Sequence, residues 1–254
     1  MIFTKNVKLI LREWRESFSK DEFERNEHNW YYFLHIPKTA GTTFRYCLYE
    51  HFHLTEVYPS YKALLLKQNS RYLGWEEFVQ NEKELFPMNK KLLIGHFGWK
   101  PLDHFSITPN VMTFVREPIS RIKSSIIFNQ KRNRRYKNME IDEILNKFLV
   151  REGMTQARNL GFHPKKDNLS QALENLEKIK FIGLSEEFKK SIEVCNNLFN
   201  WNLTIMKKRN VGKYSEDTFT ESQIDRISEA CRIDNLIYTK AQKLFNSQYL
   251  EITK

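Results

Sequence analysis

The chain has 254 residues, of which 41 are Lys or Arg and 31 are Asp or Glu, so its net charge is +10 at neutral pH. A chain of this length can bury a substantial core, and its positive charge favours polyanionic partners. No apolar stretch is long enough for a transmembrane helix, and no repeat or Pro/Gly/Ser-rich linker divides the sequence, so we predict one domain over residues 1–254.

The first strongly patterned segment predicts a strand followed by a helix. Residues 30–36 are aromatic and β-branched, as in a buried strand, and residues 43–52 carry apolar side chains at helical spacing. The connection between them, Pro37-Lys-Thr-Ala-Gly-Thr-Thr43, is short and rich in hydroxyl groups. A strand that enters a helix through such a loop presents backbone N–H groups and the helix dipole to an anion.

This loop contains residue types that bind phosphate. Lys38 adds a positive charge, Gly41 lets the backbone approach a ligand, and Thr42 and Thr43 are predicted to cap the helix and to donate to a phosphate. The P-loop of nucleotide triphosphatases places its Lys after the second of two glycines. Here Lys38 precedes the only glycine, which indicates a different phosphate loop or, alternatively, an ordinary strand–loop–helix turn.

The next strand ends in a histidine. Residues 92–94 predict a short strand, and Gly95-His96 follows where that strand ends. Open α/β sheets bind ligands at the carboxyl ends of their strands, and an imidazole titrates near neutral pH. His96 is therefore a candidate base, although a lone His at a strand end is more often a structural hydrogen-bonding residue.

A second candidate anion site follows another predicted strand, residues 111–115, which ends in Arg116-Glu-Pro-Ile-Ser-Arg-Ile-Lys-Ser124. Pro118 is typical of the first turn of a helix. An Arg at the end of the strand and a Ser nearly two turns into the helix can converge on one anion, since Arg offers a fork of donors and Ser a hydroxyl. Arg-Glu-Pro by itself also occurs at ordinary helix starts.

The dense basic run after this helix, residues 131–137, is a candidate contact for an anionic glycan or else only a solvated surface.

The rest of the chain continues to alternate helices and strands. Residues 169–178 predict a helix, residues 181–184 a strand, and Ser185 the N-cap of the next helix. This alternation favours an α/β fold with a mostly parallel sheet flanked by helices.

Three cysteines lie far apart on apolar helical faces and are interpreted as buried reduced thiols: Cys47, Cys195 and Cys231. No Cys or His cluster has the spacing of metal ligands, so no metal is predicted.

Taken in order, these motifs resemble those of sulfotransferases that use 3′-phosphoadenylyl sulfate (PAPS). Residues 37–43 resemble their 5′-phosphosulfate loop, and Arg116 with Ser124 matches their 3′-phosphate motif, an Arg-[Asp/Glu]-Pro with a Ser eight positions after the Arg. The resemblance is greatest to the carbohydrate branch, which includes the heparan sulfate and chondroitin sulfate O-sulfotransferases and their bacterial relatives. It spans residues 30–245 and implies a P-loop-like three-layer sandwich, the sulfotransferase fold.

The resemblance also implies roles for individual residues. PAPS would be the donor and adenosine 3′,5′-bisphosphate (PAP) the product, with a carbohydrate acceptor, including an anionic glycan, and no metal. The implied cofactor-binding residues are Lys38, Thr39, Ala40, Gly41, Thr42, Thr43, Arg116 and Ser124. His96 would be the catalytic base and Lys38 a second catalytic residue, whereas His35 fits the pattern without a chemical role. Residues 53–90 would form the variable insertion that contacts the acceptor, and residues 207–213 a late loop that closes over the nucleotide.

The sequence also bears on location and on competing functions. Residues 1–18 are charged and lack the apolar centre of a secretory signal, and animal Golgi members of the family carry a membrane anchor that has no counterpart here. We expect a cytoplasmic bacterial enzyme or, alternatively, an anchor outside this sequence. Two other functions stay open: a magnesium-dependent P-loop kinase or nucleotide hydrolase, and a non-catalytic polyanion-binding module. Nucleic acid is not a predicted partner, since the aromatic residues are scattered and mostly core-like.

Overall fold

A computed structural model describes residues 29–59, 74–86, 89–205 and 218–253. In this part of the chain, five strands form a sheet in which every neighbouring pair is parallel. The strands are β1 (Tyr31–Leu34), β2 (Val57–Tyr58), β3 (Leu92–Gly95), β4 (Asn110–Val115) and β5 (Phe181–Leu184). Their order across the sheet is β2-β3-β1-β4-β5, so β1, the first of the described strands, lies in the middle.

Helices connect the strands and cover the sheet. They are α1 (Gly41–His51), α2 (Trp75–Gln80), α3 (Glu82–Leu85), α4 (Lys100–His104), α5 (Pro118–Arg132), α6 (Ile141–Glu152), α7 (Thr155–Asn159), α8 (Leu169–Glu177), α9 (Phe188–Phe199), α10 (Glu221–Ala230) and α11 (Arg232–Ile252). A 3₁₀ turn at Leu54–Glu56 leads into β2.

Both faces of the sheet are buried, because successive side chains of the middle strand contact different layers. The Phe33 ring packs against Phe44 of α1, whereas the adjacent Tyr32 donates its hydroxyl to the carbonyl oxygen of Gly98, beyond β3, at 2.8 Å. Strands buried on both faces read as near-continuous apolar runs, as β3, β4 and β5 do here. The predicted α/β class, with a mostly parallel sheet flanked by helices, is confirmed.

A second apolar cluster lies beside the main core, between α5, α6 and α10. Ile122 and Ile126 of α5 pack there with Ile144 of α6 and Ile227 of α10, and all four side chains are fully buried. This cluster fixes α5 along its length, and α5 is the helix that begins directly after the predicted Arg116 motif.

Two predicted helix caps are wrong. The N-cap of α1 is Ala40, in the left-handed region, so Thr42 and Thr43 lie inside the first turn and not at its cap. The N-cap of α9 is Glu187 and not Ser185. Both helices start at backbone turns made by residues without a recognisable capping side chain, which is why the sequence pattern misplaced the caps.

Some predicted segments fall outside the described residues. These are residues 1–18, residues 207–213, and residues 60–73 and 87–88 of the predicted insertion. Within the described ranges, no helix combines the length and the hydrophobicity that crossing a bilayer requires. Cys47, Cys195 and Cys231 are buried free thiols, as predicted, and burial raises the pKa of each.

Candidate active site

A cavity of about 980 Å³ opens at the carboxyl ends of β1, β3, β4 and β5. In a parallel sheet these ends meet at one edge, so loops that are distant in sequence border the same space. The lining residues that the sequence predicted as a site are Lys38, Ala40, Gly41, Thr42, Thr43, His96, Arg116 and Ser124. Both predicted phosphate motifs and the predicted base therefore lie around one cavity.

Thr39 is the predicted site residue that lies elsewhere. Its side chain is fully buried, and its hydroxyl donates to the carbonyl oxygen of Ile36 at 2.9 Å. Thr39 is not among the residues that line the cavity. It holds the shape of the loop rather than offering its hydroxyl to a ligand.

The loop between β1 and α1 has an unusual backbone. Lys38 and Ala40 have φ angles of 70° and 65°, in the left-handed region that residues other than Gly and Asn seldom adopt. The carbonyl oxygen of Ala40 accepts from the N–H groups of Thr43 and Phe44. The N–H groups of Gly41 and Thr42, in the first turn of α1, point out of the helix and have no carbonyl one turn earlier to accept from them. Backbone strain of this kind collects at ligand-binding sites.

Gly41 is required because His35 packs against it. A Cβ atom at position 41 would lie 2.2 Å from Cδ2 of His35. The His35 ring is buried, stacks on Phe33 with ring centroids 5.2 Å apart, and has a pKa lowered well below its ordinary value by that burial. His35 is therefore a neutral platform under the loop.

His96 reaches the cavity from the end of β3 and rests on this platform. Its ring centroid lies 4.4 Å from that of His35, and its Nδ1 lies 2.5 Å from the carbonyl oxygen of His35. A carbonyl oxygen can only accept, so Nδ1 carries the proton, and in the neutral ring Nε2 is the basic nitrogen. Crowding by protein atoms lowers the pKa of His96, the bond to the carbonyl opposes this, and the charge of Arg45 lowers it further. The ring is thus kept neutral and able to accept a proton.

Lys38 lies between an aromatic ring and an arginine. Its Nζ lies 4.2 Å from the centroid of the Phe128 ring, and its carbonyl oxygen accepts from Nη1 of Arg116 at 3.3 Å. Burial, and then the charge of Arg116, lower the pKa of Lys38 to about 8. Two cations held close together in this way favour an anion that is shared between them.

Helix α5 adds a row of side chains to the same wall. Glu117 is its N-cap and accepts from the N–H groups of Ile119 and Ser120 at 2.8 and 2.7 Å, and Pro118 occupies the first helical position as predicted. Ser120, Ser124 and Phe128 are spaced four residues apart, so they follow one helix face and all line the cavity. Sequence spacing identified Ser124, whereas Ser120 and Phe128 were missed although the same spacing points to them.

The loop after β5 contributes acidic residues that the sequence analysis did not single out. Oε1 of Glu186 lies 4.0 Å from Nε of Arg116 and accepts from the N–H of Glu117 at 3.1 Å, and Oε2 accepts from the hydroxyl of Tyr238 at 3.2 Å. Glu187 and Glu193 also line the cavity. For Glu186 and Glu187, the position at the carboxyl end of a predicted strand was the available signal, whereas Glu193 lies within α9. The described residues contain no group of three or more His, Cys, Asp or Glu side chains arranged to hold a metal ion.

The basic run of residues 131–137 begins one helical turn beyond Phe128. Its five charged side chains are exposed: Lys131, Arg132, Arg134, Arg135 and Lys137. Phe128 lines the cavity, and the run begins three residues after it, at the end of α5.

Comparison with known proteins identifies no family for this chain. No family model matches the sequence, and no curated protein matches it. Among solved structures, the chain is similar to a sulfotransferase from Alicyclobacillus acidocaldarius, at 12% sequence identity and a TM-score of 0.39. That match covers 82% of this chain and 96% of the other. A likeness at this TM-score is too weak to establish a shared fold or a shared activity.

Proposed function

We propose that the protein transfers a sulfuryl group from PAPS to a hydroxyl group of a carbohydrate acceptor. The observation that supports this most is that one cavity is lined by the loop of residues 37–43, by Arg116 with Ser124, and by His96. These are the two motifs and the base on which the sequence resemblance rests. The volume of the cavity, about 980 Å³, lies within the range of pockets that hold small molecules and cofactors.

The donor groups of the cavity fall into two sets that fit the anionic groups of PAPS. Around the start of α1 are the Lys38 ammonium group, the first-turn N–H groups and the hydroxyls of Thr42 and Thr43, which would hold the 5′-phosphosulfate. Along the start of α5 are the Arg116 guanidinium and the hydroxyls of Ser120 and Ser124, which would hold the 3′-phosphate.

The proposed chemistry is an in-line displacement at sulfur. PAPS supplies the sulfuryl group and a phosphate leaving group. Nε2 of His96 accepts the proton of the acceptor hydroxyl, and the contact of Nδ1 with the His35 carbonyl keeps the ring in the required tautomer. Lys38 stabilises the negative charge that grows on the oxygen between sulfur and phosphorus, an effect that contributes about 3–4 kcal/mol per donor in comparable sites.

The exposed basic run, which begins three residues after the cavity-lining Phe128, supports an anionic glycan as the acceptor. Five positive side chains over residues 131–137 would attract a chain of carboxylate or sulfate groups. Residues 53–90 would complete the acceptor surface.

Calorimetry without magnesium tests the donor site. We expect PAP to bind more tightly than 5′-AMP or ATP, since only PAP offers a phosphate to each set of donors. Arg116→Ala should remove the preference for PAP over 5′-AMP. The variant Arg158→Ala provides a control, because Arg158 is exposed and lines a different depression.

The rival functions predict other results. Tight binding only of magnesium-ATP would favour the kinase or hydrolase. Strongly salt-dependent binding of polyanions, without any preference among the three nucleotides, would favour the non-catalytic module.

A further inference from the structure

The backbone of Arg116 is held in a way that the sheet does not explain. β4 ends at Val115, so Arg116 lies just beyond the last residue of the strand. Its N–H donates to Oε1 of Gln156 at 2.9 Å, and its carbonyl oxygen accepts from Nε2 of Gln156 at 2.8 Å. One side-chain amide thus pairs with both polar groups of Arg116, as a neighbouring strand would. Only one orientation of the amide satisfies both bonds, so the contact fixes the backbone of Arg116 in position.

Gln156 is itself fixed by the C-terminal helix. Its side chain is fully buried in α7, and its backbone N–H donates to Oδ2 of Asp234 at 3.0 Å. The next N–H, that of Ala157, donates to Oδ1 of the same carboxylate at 2.9 Å. Asp234 is fully buried in the first turn of α11. A buried carboxylate that accepts two backbone N–H groups is a rigid support, since no water can replace either bond.

The same carboxylate connects to the helix that carries Ser120 and Ser124. Arg121 of α5 is fully buried, with Nε 4.0 Å from Oδ2 of Asp234 and Nη1 3.1 Å from Oε2 of Glu152. Its Nη2 also donates to the carbonyl oxygen of Glu152. Burial raises the pKa of Asp234 to about 6, so above that pH the carboxylate is ionised and complements Arg121. Both halves of the proposed 3′-phosphate site, Arg116 and α5, are therefore fixed to one buried cluster.

We infer that Gln156 is a positioning residue for binding of the 3′-phosphate. It holds the backbone of Arg116, so that the Arg116 side chain is directed at the phosphate, and Asp234 holds Gln156 in place. This inference rests on the proposed function, since it assumes that Arg116 binds that phosphate. Neither Gln156 nor Asp234 lines the cavity, so they act through Arg116 and touch no ligand. The cluster sets how well the protein distinguishes a nucleotide with a 3′-phosphate from one without it.

The test compares PAP and 5′-AMP, which differ in the 3′-phosphate. In Gln156→Met, which keeps the volume and loses both bonds, we expect PAP affinity to fall about tenfold while 5′-AMP affinity stays unchanged. Gln156→Glu keeps the acceptor and loses the donor, and should act in the same direction if Gln156→Met does not fold. The control is Asn175→Leu, because Asn175 is also a buried amide that holds a backbone carbonyl, that of Leu160 at 2.9 Å, away from the cavity.

A double variant separates positioning from general destabilisation. If Gln156 acts through Arg116, then adding Gln156→Met to Arg116→Ala should lower PAP affinity no further. The inference is overturned if Gln156→Met keeps the PAP preference, or if Asn175→Leu lowers that preference equally. Unmodified protein that shows no preference for PAP would instead overturn the proposed function, and this inference with it.

Discussion

His96 and His35 illustrate how two similar side chains acquire different properties at one site. His35 is buried under the loop and cannot hold a charge there, whereas His96 presents its ring to the cavity and fixes its tautomer on the His35 carbonyl. The two residues follow the paired ends of β1 and β3, so the difference arises from what covers them: the loop packs over the His35 ring at Gly41. In this pair, His35 supplies a rigid contact and His96 the proposed base.

Replacing His96 should separate catalysis from nucleotide binding. In His96→Asn, the side-chain amide can still donate to the His35 carbonyl, but it cannot accept a proton. We expect kcat for sulfuryl transfer to fall by about a hundredfold or more, with PAP affinity unchanged. The control is His163→Asn, since His163 lines a separate depression. A fully active His96→Asn protein would contradict the assignment of the base.

Lys38 should make PAP binding depend on pH in the alkaline range. Its pKa of about 8 means that the side chain is charged below that pH and loses its proton as the pH rises through it. A bound anion stabilises the charged form, so PAP binding near and above about pH 8 should take up protons, and PAP affinity should fall as the pH rises.

Calorimetry in two buffers of different ionisation enthalpy would measure this proton uptake. Lys38→Arg serves as the control, because a guanidinium stays charged over the whole range and should abolish the pH dependence. Equal PAP affinity at about pH 7 and about pH 9.5 in the unmodified protein would refute the prediction.

At the scale of elements, the sequence predicted the strands more accurately than the helix starts. β5 has the predicted bounds, and β4 begins one residue earlier than predicted, because buried strands in a parallel sheet read directly as apolar runs. The start of α1 was misplaced because its cap is an alanine in a left-handed conformation, which no propensity predicts. Helix α5 was placed correctly because Pro118 marks its first turn.

The N-cap of α5 should matter for both stability and binding. Glu117→Ala removes the acceptor for two N–H groups, and we expect a loss of about 1 kcal/mol in the free energy of unfolding. Because Ser120 and Ser124 belong to the first two turns of that helix, PAP affinity should fall as well. Denaturant unfolding and calorimetry measure the two effects.

Thr220→Ala offers a matched comparison for Glu117→Ala. Thr220 is the N-cap of α10, where it accepts from the N–H of Gln223 at 3.3 Å, and it does not line the cavity. We expect this variant to lose similar stability and to keep its PAP affinity. Equal PAP affinity in both variants would show that the cap of α5 does not shape the site.

At the scale of the whole molecule, the sequence identified eight of the residues that line the cavity, but it did not identify the buried residues that support them. Lys38, His96 and Arg116 could be identified because each lies in a short motif at the end of a predicted strand. Gln156 and Asp234 could not, because the sequence assigns a role to neither. Gln156 pairs with Arg116, and Asp234 with Gln156, only once α7 and α11 have packed in the folded chain. Contacts between residues so distant in sequence are a property of the folded chain.

The exposed basic run of residues 131–137 should act on binding of the acceptor and not on binding of the donor. Replacing Arg132, Arg134 and Arg135 by Ser should raise KM for an anionic glycan and leave PAP affinity unchanged, because these side chains lie beyond the end of the cavity lining on α5. Steady-state kinetics at low and high salt would measure the effect, which salt should reduce.

Lys178 and Lys180 provide the control for this charge effect. Both are exposed and lie just before β5, at the edge of the sheet opposite the cavity. Their replacement by Ser should leave KM for the glycan as it is. An equal rise in both variants would mean that net charge acts without any local contact.

The strand order has a consequence for protein synthesis. β1 emerges from the ribosome first, yet its partners in the sheet begin only at Leu92 and Asn110, and part of the cavity wall follows β5. A growing chain that already contains both predicted phosphate motifs therefore still lacks the part of the wall that follows β5. The parallel sheet can be completed only after these distant segments have been synthesised. The proposed nucleotide site is then completed late, and a nucleotide bound there would stabilise the completed chain over any partial one.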